Sequence, residues 1–165
     1  MSDKNYTKIT PIMEALAQKL MDNNHIDPEL YAKYDVKRGL RDINGHGVLA
    51  GLTNIANIVA YEKDEKGNST PIDGVLYYRG YSLDDLVDGF LKDGRYGFEE
   101  TSYLLLTGEL PDAKTLKKFN AALSKHRALP KGFVRDIILE APSKDIMNAM
   151  ARAVLTLYTY DDRAD

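Results

Sequence analysis

Apolar residues recur along most of this chain at spacings of three and four, and cluster in β-branched, aromatic runs in one region only. Ile12, Leu16 and Leu20 share one side of a helix, Thr10 can cap it and Pro11 suits its first position, which predicts a helix from Pro11 to about Asn23. A second helix is expected to start at Asp27-Pro28, with Leu30, Tyr31 and Tyr34 inward. Residues 38–56, dotted with Gly39, Gly45, Gly47 and Gly51, read as irregular. Ile58–Glu62 and Val75–Tyr78 read as two strands, and the turn-rich DEKGNSTPIDG between them as a long connection. They predict one small antiparallel hairpin, the sole sheet of the chain.

After Ser82 the pattern is helical. Leu83, Leu86, Val87, Phe90 and Leu91 form an apolar face, with Ser82 and Asp85 as a capping-box-like start. The next helix, Phe98–Thr107, stops at Gly108. Asp112 is placed to cap a basic amphipathic helix with Leu116, Phe119 and Leu123 inward, and a short helix over Pro130–Glu140 is closed by Ala141-Pro142. In Asp145–Tyr160 the polar residues Asn148, Arg152, Thr156 and Thr159 make one narrow stripe, and the rest of the circumference is apolar. Such a helix needs cover on more than one side. Only five residues follow it, so cover is expected from outside this chain: further sequence or a second copy.

Composition adds exclusions more than identity. A chain of 165 residues is long enough for one domain that buries roughly two-thirds of its unfolded surface. A net charge of −3 gives no general reason to expect nucleic acid or an anionic membrane as partner. No cysteine is present, which removes disulfides and thiolate metal sites. No apolar run approaches the ~20 residues of a membrane helix. The opening MSDKNYTKITP resembles neither a secretory signal nor a transit peptide, so a cytoplasmic protein is the expectation.

Candidate chemistry is sparse. Gly45-His46-Gly47-Val48-Leu49-Ala50 matches the dinucleotide pattern formally. That pattern binds pyrophosphate only between a strand and a helix, and the charged KRGLRDIN before it does not read as a buried strand. A loop is the better reading. His25 and His126 fall near predicted helix C-termini, where an imidazolium complements the dipole, and none of the three histidines has a second histidine at metal-binding helical spacing. His46, in the glycine loop, is the hardest to dismiss. Lys114, Lys117, Lys118, Lys125, Arg127 and Lys131 make a basic region that reads as a solvated helix face. Arg79-Gly80 reads as a corner between strand and helix, with Gly80 supplying the backbone freedom. No catalytic, cofactor-binding or metal residue is assigned.

The run Gly74-Val75-Leu76-Tyr77-Tyr78-Arg79-Gly80-Tyr81, leading into a capped helix with Asp85-Leu86-Val87, resembles the citrate synthase family. Phe98-Glu99-Glu100-Thr101-Ser102-Tyr103-Leu104-Leu105-Leu106-Thr107-Gly108-Glu109-Leu110-Pro111 is similar to the family's F-E-E-x-x-Y-L-L-x-x-G-x-L-P segment. Gly39-Leu40-Arg41-Asp42 and Gly47–Thr53 are similar to its bacterial branch. Where many members open a late helix with His-Pro-Met, this chain has Asp145-Ile146-Met147.

The resemblance implies a mainly α fold: the N-terminal part of the large helical domain, with a helical arm over 1–37, a loop and β-hairpin over 38–81 and helices over 82–165. It implies an enzyme that condenses acetyl-CoA with oxaloacetate and releases CoA, with an aspartate base, two histidines and substrate-holding arginines. The resemblance places the histidines, the aspartate and most of the arginines beyond Asp165, so this chain is expected to bind no cofactor and to be inactive alone. The implied partners are the remaining C-terminal part of the enzyme and a second subunit. The alternatives are a naturally short, non-catalytic homologue acting by association, or part of a 2-methylcitrate synthase using propionyl-CoA.

Overall fold

The computed structural model describes residues 8–43, 45 and 47–161. The chain divides into two compact units, residues 15–119 and the remainder, and helices α1 (Pro11–Asn23) and α5 (Ala113–His126) each run from one unit into the other. The mainly helical class expected from the spacing holds, with a small antiparallel sheet beside the helices.

In the first unit, Ala15–Phe119, strand β1 (Ala56–Lys63) pairs with β2 (Ser69–Tyr78), and β2 pairs with the two-residue β3 (Tyr81–Ser82). The sheet therefore has three strands in the order β1-β2-β3, against the two expected, and its strands are longer. Of residues 69–74, expected as connection, Ser69, Thr70 and Pro71 pair with β1, with Pro71 opposite Tyr61 just past a register shift between Val59 and Tyr61. Proline is tolerated there because β3 covers only Tyr77 and Tyr78, so this half of β2 has a free edge on which no amide is needed. Asp64 closes the turn, its carboxylate accepting from the amides of Lys66 and Asn68.

The helices start where their caps predict. Thr10 Oγ1 accepts from Met13 N, Ser82 Oγ from Asp85 N at 3.1 Å, and Asp112 Oδ1 from Thr115 N at 2.7 Å. Helix α2 (Glu29–Lys33) is one short turn, with Asp27 Oδ1 accepting from Glu29 N. It half-buries Leu30, while Tyr31 and Tyr34 face solvent. In α1 the inward row runs Ile12, Leu16, Lys19, Asn23, so Leu20 is exposed and the row ends in polar groups that bond to α4 (Phe98–Thr107).

Leu86 of α3 (Leu83–Lys92), Tyr103 and Leu104 of α4 and Phe119 of α5 form the core, with the Tyr103 and Phe119 rings edge to face at 5.3 Å. Leu91, placed on the apolar face of α3 by the spacing, is exposed. Gly97, at the N-terminus of α4, lies under the Phe90 ring, and a Cβ there would come within 2.2 Å of it. Only glycine permits that approach.

The second unit comprises residues 8–14 and 120–161 of the described chain. Its buried centre is Phe133, edge to face with Tyr160 at 6.0 Å. The short helix expected over Pro130–Glu140 is instead a π-helical segment over Val134–Leu139, shown by Glu140 N donating to Arg135 O, five residues back. Helix α6 (Ile146–Leu157) packs on this segment and continues as a 3-10 turn over Tyr158–Tyr160. The expected helical span of Asp145–Tyr160 is thereby found.

Candidate functional site

The densest polar constellation is built around Arg79. Tyr78 pairs with Tyr81, which leaves Arg79 and Gly80 as a two-residue hairpin loop with φ of 50° and 90°. Positive φ at both positions is the signature of a type I′ turn, whose twist matches that of the flanking strands. Gly80 adopts this conformation freely. Arg79 carries a Cβ, and the left-handed region costs such a residue about 1 kcal/mol or more.

The guanidinium offsets that strain. Its Nε donates to Leu105 O at 3.3 Å and its Nη2 to the same carbonyl at 3.0 Å. Nη2 also donates to Asn24 Oδ1 at 2.6 Å, while Nη1 donates to Asn23 O at 3.2 Å and Asn54 O at 3.3 Å. All five N–H groups of the fork are engaged.

The positions of these acceptors explain the choice of a cation. Asn23 ends α1 and Leu105 lies in the last turn of α4, so two helix C-termini present unpaired carbonyls and partial negative charge to one guanidinium. The rest of the α4 terminus is closed around it. Gly108, at φ 79°, returns its amide to Leu104 O, and Asn23 Nδ2 donates to Thr107 O. The buried Thr107 hydroxyl donates to Tyr103 O at 2.8 Å. Asn54 Nδ2 adds a bond to Asn23 O at 2.8 Å.

Lys19 completes the junction, its ammonium bonded to Glu109 and to Tyr103 Oη. Glu109 first and Tyr103 second hold this ammonium above the usual lysine range. A groove of about 390 Å³ runs past the turn, lined by Thr53, Asn54, Ala56, Tyr77, Arg79 and Gly80. Because the guanidinium already has a full set of acceptors, Arg79 does not present a free cation to it.

The other candidates do not come together. His25 is exposed just beyond α1, and His126 is exposed at the end of α5 with Nδ1 2.8 Å from Ala122 O. Both stand at helix C-termini, as expected. His46 lies outside the described residues. Gly47 makes an isolated bridge with Arg41, and residues 48–55 form no helix, so the glycine loop lacks the strand and helix that a dinucleotide site needs. Lys114, Lys117, Lys118, Lys125, Arg127 and Lys131 are all exposed. No group of three or more metal-ligating side chains exists among the described residues.

Asp145 has a structural task, its carboxylate capping α6 by accepting from Asn148 N at 3.0 Å. The polar stripe of α6 is present, with Thr156 Oγ1 turned back to Arg152 O and Thr159 Oγ1 to Thr156 O. No residue of α6 is buried, and Met147, Val154, Leu155 and Tyr158 are each more than 60% exposed. Its other flank borders a groove of about 660 Å³ shared with the Asp136–Ser143 segment.

These elements can be placed among known proteins. The family model described as "Citrate synthase, C-terminal domain" matches residues 43–165, three-quarters of the chain, including the sheet, the Arg79 turn and α3 to α6. The 2-methylcitrate synthase 2 of Corynebacterium glutamicum is 32% identical over 127 residues, which is 77% of this chain and 27% of that protein. The citrate synthase of the same organism is 36% identical over 87 residues, 53% of this chain and 18% of that protein. The citrate synthase of Saccharolobus solfataricus is 35% identical over 98 residues, 57% of this chain and 24% of that protein. The chain thus spans between 18% and 27% of the length of these relatives. It belongs to the citrate synthase family.

Proposed function

We propose that this chain is the N-terminal portion of the large helical domain of a citrate-synthase-type enzyme, and that it serves as scaffold and subunit interface, not as active site. The placement proposed here rests on the order of the Arg79-Gly80-Tyr81 and Phe98–Pro111 motifs. The complete enzyme condenses the acetyl group of acetyl-CoA with oxaloacetate to give citrate and CoA, working in the cytoplasm as a homodimer. Among the described residues no helix is long and apolar enough to cross a membrane.

One observation carries the scaffold reading. Arg79, the arginine within the family-like motif, has its whole guanidinium bonded to the carbonyls and amide oxygen of Asn23, Asn24, Asn54 and Leu105. A group held in that way ties elements together and is unavailable to a substrate carboxylate.

Substrate choice has a second reading. Two relatives aligned over 77% and 76% of this chain carry the name 2-methylcitrate synthase, which supports propionyl-CoA as an alternative acyl donor. The reading frame beyond codon 165, expressed together with this segment, separates the possibilities. CoA release with oxaloacetate is expected, and its relative rate with acetyl-CoA and propionyl-CoA assigns the donor. A stop codon at that point, with association as the sole activity, would replace the enzyme reading by that of a short interaction protein.

A further inference from the structure

We draw no further inference here: the strongest candidate, the outward apolar face of α6 formed by Met147, Val154, Leu155 and Tyr158, is an unpartnered surface, and nothing in the structure shows what covers it.

Discussion

Arg79 is placed in a conformation that asparagine, aspartate or glycine would adopt at lower cost, so its retention at that turn has to come from its side chain. Replacing it by asparagine separates the two effects. Arg79→Asn suits the I′ turn and removes the fork, and it is expected to lower unfolding free energy by about 1–3 kcal/mol, since hydrogen bonds to a charged donor are the stronger kind. Denaturant unfolding measures this; an unchanged or raised midpoint would mean that the turn alone matters. Arg79→Lys keeps the charge but not the planar fork, and is expected to recover only part of the loss.

At Gly97 the constraint is steric. Gly97→Ala drives a methyl into the Phe90 ring and is expected to cost about 1–3 kcal/mol, with partial relief when Phe90→Leu is added. At this scale the sequence shows Gly80 as a turn residue and Arg79 as its neighbour. It hides what Arg79 holds, because the acceptors at positions 23, 24, 54 and 105 come together only after folding. The positive φ of Arg79 had a local signal all the same: a two-residue X-Gly break between Tyr78 and Tyr81, with a strand residue on each side.

Among the elements, helix starts were the most legible feature, because an N-cap works within three residues of itself. Thr10, Ser82, Asp112 and Asp145 each accept the amide three positions on. Asp112 carries a pH signature. The hydroxyl and amide of Thr115 hold its carboxyl below the usual aspartate range. A depressed folded pKa stabilises above the unfolded value, near 3.8, and that stabilisation is lost as pH falls through the folded value. The difference in thermal midpoint between the parent and Asp112→Ala should therefore be present at neutral pH and shrink below about pH 3.8. A difference that stays constant down to pH 2 would contradict the assignment.

The strand boundaries were less legible than the caps. Pro71 and Gly74 look like breakers in isolation, yet pairing with β1 extends β2 across both, and the free edge makes the proline tolerable. The π geometry of Val134–Leu139 has no distinguishing sequence period, so a plain helix was the natural expectation.

On the scale of the whole molecule, α6 links sequence pattern to function. Its apolar circumference predicted a helix in need of cover, and the exposure of its outward residues agrees with that. The isolated chain is expected to self-associate as its concentration rises. Val154→Glu should suppress this while leaving unfolding free energy within about 0.5 kcal/mol, since the position is already solvated. Light scattering across a dilution series follows the first effect, and a parent chain that stays monomeric at high concentration would remove the reason to treat this face as an interface.

The central claim is that this segment supports chemistry carried by residues elsewhere in a longer enzyme. Its most direct test is the release of CoA from acetyl-CoA plus oxaloacetate by the purified 165-residue chain, with folding checked by circular dichroism. The rate should match the protein-free background, and turnover well above that background would place an active site within the chain and contradict the claim.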